Sequence, residues 1–394
     1  MPSFAATVLF FPLLGLCGAK CIPATKPSGV ATPPVASAPA VSAPATSTPV
    51  TSPPAANESS SVPAVSQNAT SGAQIPGGFE PGVKWQINIQ NPVDPRAGMQ
   101  PADAKVIDVD LFHASMDPTL IPTLHAAGVT VLCYFNLGAV QTTDCDWSSW
   151  NNDGLMKGQV VENYSQEKYV DVTDPTVLEL HKARIDLAHT IGCDGLDPDN
   201  IDTYELSADE SIGKQITQED MINFLSTLAE YAHSKTTTAG HSLMIGQKNA
   251  VGITEQVHEF MDFAISENCV GSINPGSNRG APDEFCTVFQ KYYADNGKPA
   301  FDIEYPSSLA SGGSSSKSRR DASDTDGSEA GCAAGTSEAD MTAYCTSQAS
   351  STGISRILKL DNDNYGLNGC TQYCDETASF IMTTYASNDT NSCG

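Results

Sequence analysis

The chain has 394 residues, 12 cysteines and a formal net charge of −26 at pH 7. Such an excess of carboxylates excludes a typical nucleic-acid-binding protein, whose surface must be basic to neutralise phosphates. An acidic surface either attracts a cationic partner or keeps a secreted protein soluble, and net charge alone does not separate these two interpretations.

The first 75 residues predict two segments that precede the folded domain. An apolar run from Phe4 to Leu16, followed by small residues, is typical of a secretory signal peptide over 1–19, with a retained signal anchor as the alternative. The run is shorter than the roughly 20 residues that span a bilayer, so stable membrane insertion is not expected. Residues 20–75 are rich in Pro, Ala, Ser and Thr and predict a disordered, glycosylated linker. The expected location is extracellular, with cell-wall association as one form of it.

The cysteines predict disulfides, because secretion places them in an oxidising compartment. Cys269 and Cys286 are predicted to pair locally. Cys133 and Cys193 fall inside predicted strands, where buried thiols are expected instead. Zinc is not expected, since no second cysteine pair matches the closely spaced one near the C-terminus. A C-terminal group is predicted to be joined by disulfides, and its members are Cys332, Cys345, Cys370, Cys374 and Cys393.

Residues 76–394 have the size of one barrel domain and contain eight strand-like runs, most of them followed by a helical pattern. The predicted strands are 85–89, 106–110, 129–135, 193–197, 242–247, 262–266, 300–304 and 354–360. The predicted helices are 119–127, 177–191, 218–234 and 284–295, with 377–385 as a closing helix and 307–340 as a long polar loop. Eight strand–helix units predict an α/β fold, a (β/α)8 barrel of the TIM type.

Carboxylates are concentrated where the fourth strand is predicted to end. Four of them lie within the nine residues from Asp194 to Asp202, and Pro198 is expected to end the strand. The strands of such a barrel end around one opening, the mouth, where active sites of this fold lie. Most other predicted strands also end in polar residues, namely Asp110, Tyr134, Lys248, Glu267, Glu304 and Asp361. The sequence therefore predicts a site at the mouth, although strand ends are often polar simply because they are exposed.

Six motifs occur in one order between residues 83 and 305. They are Asp108–Phe112, Cys133–Gly138, Asp194–Asp202, Gly246–Asn249, Ser266–Cys269 and Phe301–Tyr305. Together they resemble the endo-α-1,4-polygalactosaminidases, glycoside hydrolase family 114, and ordered agreement at six places is more specific than any single motif. The resemblance implies a (β/α)8 barrel that cleaves a cationic, partly deacetylated galactosamine polysaccharide internally. No cofactor is expected.

The resemblance also implies a catalytic Asp in the fourth-strand motif and a catalytic Glu in the sixth-strand motif. Asp199 is favoured as the nucleophile, with Asp197 as the alternative, and Glu267 is the general acid/base. Glycosidic bonds need two carboxyl groups that flank the scissile bond and have pKa values pushed apart. A retaining mechanism is favoured over an inverting one.

Candidates for sugar binding surround that pair. Lys248 is expected either to hold one carboxylate ionised or to bind a sugar hydroxyl, and Asn200 and Asn249 complete the polar set. Tyr134 and Trp85 are candidates for stacking on sugar rings, with packing in the barrel as the alternative. An acidic set is expected to pair with the sugar ammonium groups, and its members are Asp108, Asp110, Asp197 and Glu304.

Other interpretations are compatible with the sequence. Calcium is an alternative ligand of the acidic cluster at 194–202 or of Asp361–Gly366, although neither has EF-hand spacing, and the favoured interpretation has no metal. The alternative functions are a non-catalytic wall protein that binds polysaccharide and a barrel glycosidase of other sugar specificity, since fold alone does not fix the substrate. A monomer is expected.

Overall fold

The computed structural model describes most of the chain from residue 78 onward. The described residues are 78–97, 99, 101–152, 155, 158–162, 164–270, 284–310, 336–346, 353–359, 367, 370–375 and 379–381. Several expectations concern residues outside this set. They are the signal peptide, the linker, the part of the polar loop at 311–335, the calcium motif at 361–366, and Cys332 and Cys393.

The elements of the described residues follow a strand–helix alternation. The strands are β1 (Trp85–Asn88), β2 (Val106–Asp110), β3 (Thr130–Asn136), β4 (Ala139–Gln141), β5 (Val160–Val161), β6 (Tyr164–Tyr169), β7 (Gly195–Asp199), β8 (Met244–Lys248), β9 (Phe263–Glu267), β10 (Ala300–Glu304), β11 (Ile354–Lys359), β12 (Cys370–Tyr373) and β13 (Ser379–Ile381). The helices are α1 (Leu111–Met116), α2 (Leu120–Ala126), α3 (Trp147–Asn152), α4 (Pro175–Ile191), α5 (Gln218–His233), α6 (Thr254–Val257), α7 (Glu284–Tyr292), α8 (Ser307–Ala310) and α9 (Glu338–Cys345). Within this part of the chain, no helix is both long and apolar enough to cross a bilayer.

The two longest helices begin and end at residues whose chemistry explains their bounds. Asp174 accepts a backbone hydrogen bond in the first turn of α4, Pro175 occupies that turn, and Gly192 ends the helix with a φ of 102°. Thr217 and Asp220 form a reciprocal capping box at the start of α5. Local sequence therefore fixes where α4 stops ahead of β7 and where α5 starts after β7.

Eight parallel strands form the (β/α)8 barrel, in the spatial order β1-β2-β3-β7-β8-β9-β10-β11. β12 and β13 continue the sheet by antiparallel pairing. Side chains join β11 to β1, because Lys359 Nζ donates to the Ile87 carbonyl at 2.6 Å and the Trp85 indole donates to the Ser355 carbonyl at 2.8 Å. The predicted fold class, its eight strands and the four helices predicted between them are confirmed, with ends shifted by a few residues.

Alternate residues of the barrel strands point into the lumen, as the two-residue period of a strand requires. Apolar residues fill the part of the lumen nearer the strand starts: Trp85, Ile87, Val106, Leu132, Met244, Phe263, Ile265, Phe301 and Ile303. Gly195 and Gly246 leave room for the ring of Phe263, which a Cβ on Gly246 would overlap. Along β7 and β8, the inward positions that follow these glycines toward the mouth are polar.

We expect Gly246→Ala to lower the free energy of unfolding by about 1–3 kcal/mol, because an added methyl overpacks the lumen against Phe263. Urea unfolding measures the loss, and the added substitution Phe263→Leu should recover part of it. Gly252→Ala is the control, since its methyl would meet only the ends of the Gln218 and Tyr204 side chains. An unchanged unfolding midpoint for Gly246→Ala would contradict a tightly filled lumen.

Three expectations about the fold are wrong. β7 continues through Pro198 instead of ending before it. Its pairing with β8 ends at Leu196, so no later backbone hydrogen bond to β8 needs the N–H that proline lacks. Residues 379–381, within the predicted closing helix, form β13 and pair with β12. Cys133 and Cys193 are not thiols: β3 and the start of β7 are neighbours, which brings their Cα atoms to 6.0 Å in a disulfide.

Two further disulfides each join a helix to a segment that follows a strand. Cys269 and Cys286 connect the end of β9 to α7, as the sequence predicts. Cys345 and Cys374 connect α9 to the segment after β12, so two of the predicted C-terminal group are joined to each other. Both bonds fasten chain segments that follow barrel strands.

A three-stranded antiparallel sheet, in the order β4-β6-β5, interrupts the barrel between β3 and α4 and was not predicted. Arg184 of α4 holds this excursion, because its buried guanidinium pairs with Asp144 and Asp146 and donates to the Asn136 carbonyl at 2.8 Å. Removing one partner of a buried ion pair lowers the free energy of unfolding by about 3–5 kcal/mol. The excursion is therefore fixed to the barrel beside the end of β3.

Stability is expected to fall below about pH 6.5 because of one buried histidine. His181 is enclosed by Phe135, Trp150 and Phe224, and burial followed by the Arg184 charge lowers its pKa well below the ordinary 6.5. The unfolded chain then binds a proton that the folded chain does not, at about 1.4 kcal/mol per pH unit. Urea unfolding at pH 5 and pH 7 should show a smaller difference for His181→Phe than for the wild type. An equal difference would contradict a neutral buried imidazole.

Candidate active site

Three neighbouring strands end at the mouth in ionisable residues: β7 in Asp199, β8 in Lys248 and β9 in Glu267. Lys248 Nζ lies 2.9 Å from Asp199 Oδ1 and 3.6 Å from Glu267 Oε2. The lysine side chain is 2% exposed, whereas each carboxylate side chain is 21% exposed. The structure therefore presents two acids to solvent above one buried ammonium group.

Each of these strand ends is followed by an asparagine in the left-handed region. The φ angles are 59° at Asn200, 45° at Asn249 and 57° at Asn268. Residues other than glycine rarely adopt this conformation, asparagine tolerates it better than most, and such strain clusters at functional sites. Asn249 also accepts the backbone N–H of Glu267 through Oδ1 at 2.8 Å. The side chain of Asn249 thus positions the end of β9.

Asp199 is held in its ionised form. Burial alone would raise the pKa of Asp199, but the Lys248 ammonium and three hydrogen bonds outweigh burial and lower that pKa below its ordinary value. Lys248 and the Asn200 N–H donate to Oδ1 at 2.9 and 2.8 Å, and the Tyr134 hydroxyl donates to Oδ2 at 2.9 Å. A carboxylate with these partners can attack or accept a proton, but it donates one poorly.

Glu267 has a different set of partners. The Tyr305 hydroxyl donates to Oε1 at 2.6 Å, and Lys248 Nζ is too far from Oε2 for a normal hydrogen bond. Burial and then the charge of Glu267 raise the pKa of Tyr305 well above its ordinary value, so this hydroxyl stays a donor. Glu267 is therefore held through Oε1, and its Oε2 lies beside the Lys248 ammonium.

Asp108 and Asp197 lie one layer deeper in the lumen than the exposed pair. Both are fully buried, their carboxyls lie against each other, and neither receives a hydrogen bond from another described group. Burial raises the pKa of Asp108 well above its ordinary range and that of Asp197 to about 6. Full burial leaves neither side chain open to a sugar at the mouth, contrary to the prediction. The charge of Asp197 favours the ammonium form of Lys248.

Three other predicted sugar-binding residues have different surroundings. Trp85 is fully buried near the start of the barrel and donates its indole N–H to a backbone carbonyl. Glu304 is buried on the face of β10 that points away from the lumen, and it accepts a backbone N–H from the segment after β9 at 2.6 Å. Asp110 accepts a backbone N–H in the first turn of α1 and caps that helix. The predicted sugar contacts of Trp85 and Glu304 are wrong.

The acidic cluster of residues 194–202 does not form one cage. Asp194 precedes β7 and accepts hydrogen bonds from His125 and the Val131 N–H, each at 2.8 Å. Burial opposes ionisation, but these contacts and His241 lower the pKa of Asp194 to about 2. Asp199 ends the same strand, about 16 Å further along at 3.3 Å per residue. The calcium interpretation is therefore wrong for this cluster.

The sequence analysis missed three residues at the site. Tyr305 follows β10 and holds Glu267. Tyr164 and Glu167 come from β6 of the three-stranded sheet. The negative charge of Asp199 acts on both side chains. Burial and then Glu267 raise the pKa of Tyr164, while burial and then Asp199 raise the pKa of Glu167 to about 7. Strand alternation in the motif Phe301–Tyr305 was a signal for Tyr305, whereas nothing in β6 marks it as part of the site.

A (β/α)8 barrel whose mouth presents two carboxyl groups in unlike surroundings has the architecture of a glycoside hydrolase. The model of the glycoside-hydrolase family GH114 matches residues 63–379, and the chain belongs to this family. The resemblance seen in the six sequence motifs is thereby confirmed. The protein is a glycoside hydrolase.

Two solved structures are similar to this chain. One is Ega3 of Aspergillus fumigatus in complex with galactosamine, 27% identical, with a TM-score of 0.57 over 75% of this chain and 97% of that one. The other is the glycoside hydrolase domain of PelA from Pseudomonas aeruginosa, 15% identical, with a TM-score of 0.46 over 71% of this chain and 95% of that one. No curated protein sequence matches the chain.

Proposed function

We propose that this chain is a secreted, endo-acting hydrolase of α-1,4-linked, galactosamine-containing polysaccharide. The observation that carries the proposal is the pair Asp199 and Glu267, both reached by solvent and both facing the Lys248 ammonium. Membership of GH114 and the galactosamine bound by the similar Ega3 support the choice of sugar.

In the proposed reaction, Asp199 attacks the anomeric carbon while Glu267 protonates the oxygen of the leaving sugar. Glu267 then takes a proton from the water that releases the sugar from Asp199. Tyr134 and Lys248 keep Asp199 anionic and oriented, and Tyr305 fixes Glu267. The complete burial of Asp197 supports Asp199 as the nucleophile, since only the latter is open to the mouth.

The shared lysine supports retention of configuration. Asp199 Oδ1 and Glu267 Oε2 lie 2.9 and 3.6 Å from the same nitrogen, so these two oxygens are no more than about 6.5 Å apart. Retaining enzymes hold their carboxyls about 5–5.5 Å apart, and inverting enzymes about 6.5–9.5 Å. This bound on one oxygen pair leaves little room for the water that inversion places between the basic carboxylate and the anomeric carbon.

The charge of the site supports a cationic substrate. Asp199 and Glu267 are open to the mouth, Asp197 lies beneath them, and Lys248 is the one cation paired with them in the described residues. Charges in a poorly solvated lumen are weakly screened and attract an ammonium group from a distance. The substrate in this proposal is therefore partly deacetylated. One chain supplies every described group of the site, so a monomer suffices.

The same proposal assigns the N-terminal segments. Residues 1–19 are a signal peptide, 20–75 a glycosylated linker, and 76–394 the catalytic domain. The disulfides of Cys133, Cys269 and Cys345 support export to an oxidising compartment.

The experiment is turnover on matched polymers. The full chain is incubated with partly deacetylated α-1,4-galactosamine polymer, with its fully N-acetylated form and with an α-1,4-glucan, and new reducing ends and product lengths are measured. We expect internal cleavage of the deacetylated polymer and the slowest release from the glucan. Binding of the first polymer without new reducing ends would indicate a non-catalytic wall protein. Faster release from the glucan would indicate a barrel glycosidase of other specificity.

A further inference from the structure

We infer that Glu167, on β6 of the three-stranded sheet, is a positioning residue for Asp199 and acts through the side chains of Asn136 and Asn200. The inference rests on the proposed function, because it takes Asp199 as the nucleophile. The residues come from three separate parts of the fold, since Asn136 ends β3 and Asn200 follows β7. Glu167 is 7% exposed, which leaves little of it for contact with a sugar.

The contacts form a continuous series. Asn136 Nδ2 donates to Glu167 Oε2 at 2.7 Å, and Asn200 Nδ2 donates to Asn136 Oδ1 at 3.0 Å. The backbone N–H of Asn200 donates to Asp199 Oδ1 at 2.8 Å. Gln141 Nε2 donates to Glu167 Oε1 at 2.8 Å and holds the start of the series. Glu167 is thus linked to the nucleophile by consecutive hydrogen bonds.

The chemistry of the first link sets the direction of the others. Both carboxyl oxygens of Glu167 accept an amide N–H, so Glu167 turns the NH2 group of Asn136 toward itself and the amide oxygen toward Asn200. That oxygen then selects the NH2 group of Asn200. Asn200 has a φ of 59°, so its backbone depends on such contacts to keep the Asp199 turn. Glu167→Gln leaves one acceptor oxygen for the two amide donors of Gln141 and Asn136, which removes the reason for this orientation.

Packing around the turn transmits any shift. The Asp199 carbonyl accepts the N–H groups of Leu137 and Gly138 at 2.9 and 3.1 Å. A Cβ on Gly138 would overlap the Asn200 carbonyl, so the two loops are in close contact. Burial and then the Asp199 charge raise the pKa of Glu167, which places the two carboxyls within electrostatic reach. A displaced Asn136 therefore displaces the residue beside the nucleophile.

Kinetics of three variants of the full chain test the inference. Glu167→Gln keeps the size of the side chain. Asn200→Gly removes the hydrogen bond from Asn200 to Asn136, and glycine readily adopts the positive φ of this position. We expect each to lower kcat roughly 10- to 100-fold, with KM changed less than threefold, because misplaced groups lose rate rather than binding. The double variant should be no slower than the slower single variant. The control Glu162→Gln, exposed on the same excursion, should match the wild type.

A second readout does not need turnover. With asparagine labelled by ¹⁵N, Glu167→Gln should shift the side-chain amide signals of both Asn136 and Asn200 and speed their hydrogen exchange, and Glu162→Gln should move neither. Unmoved Asn200 signals, or single-variant effects on kcat that multiply in the double variant, would overturn the inference. If the Asn136 and Asn200 amide signals shift but the chain cleaves no galactosamine polymer, the series of contacts is supported and only the proposed function is contradicted. Should Glu167→Gln not fold, Asn200→Gly against the wild type carries the same test.

Discussion

Glu267→Gln is expected to lower kcat/KM on the polymer by about 10²- to 10⁴-fold, the range that a positioned general acid contributes. Glutamine keeps the contact with Tyr305 but cannot carry the proton to the leaving oxygen. A substrate with an activated aryl leaving group needs no such proton, so its first step should be nearly as fast as in the wild type. Reducing ends released from polymer, and aryl alcohol released in a single turnover, measure the two cases.

The matched control for this variant is Glu259→Gln, an exposed glutamate just before the start of the same strand. It removes one carboxylate from the chain without touching the mouth, so both substrates should be turned over at the wild-type rate. Equal losses on polymer and aryl substrate in Glu267→Gln would show that Glu267 acts as something other than the proton donor. Polymer cleavage at the wild-type rate would remove Glu267 from the mechanism.

Lys248→Met is expected to lower kcat/KM by about 10²- to 10³-fold, as the loss of one preorganised electrostatic contact does. Burial and the neighbouring acids act on Asp199 in opposition to this lysine, so its removal raises the pKa of Asp199. In the wild type the lowered pKa keeps Asp199 ionised into the acid range. In Lys248→Met, the acid limb of the kcat/KM profile should therefore move to higher pH.

Lys298→Met provides the comparison for that shift. Lys298 is partly buried and lies before the start of β10, at the end of the barrel away from the mouth. It donates to the His258 and Met261 carbonyls. Its loss should lower stability and leave the acid limb where it is. An acid limb that moves in neither variant would mean that Lys248 does not set the ionisation of Asp199.

The fold could be predicted because its signals are local and repeat along the chain. Apolar strand runs, helix caps such as Thr217 and stops such as Gly192 lie in short windows of sequence. Asp199, Lys248 and Glu267 could be predicted for the same reason, since each ends a strand in a recognisable motif. Tyr305 was missed because Glu304, the last residue of β10, was chosen as the mouth residue.

The error at β10 concerns the face of the strand, since the predicted bounds 300–304 match the observed ones. Successive side chains of a strand point to opposite faces, so choosing Glu304 as the mouth residue selected the face that looks away from the lumen. The inward positions are Phe301 and Ile303, and Tyr305 follows them toward the mouth. Applying the alternation from Phe301 onward would have corrected the prediction.

Other features depend on contacts between distant segments and have no local signal. The three-stranded sheet has short, polar strands, and its position follows from pairs such as Arg184 with Asp146, which join separate segments. Glu167 joins the site through Asn136 and could not be found without that geometry. The disulfide of Cys133 and Cys193 likewise requires knowing that β3 and β7 are neighbours.

The central claim is that Asp199 attacks the sugar while Glu267 supplies the proton, and covalent trapping tests it most directly. Glu267→Gln is incubated with an activated aryl α-galactosaminide, quenched with acid and digested, and the peptides are identified by mass spectrometry. The account predicts one galactosaminyl unit on the peptide that contains Asp199. A sugar on any other peptide, or turnover with inversion and no labelled peptide, would contradict it.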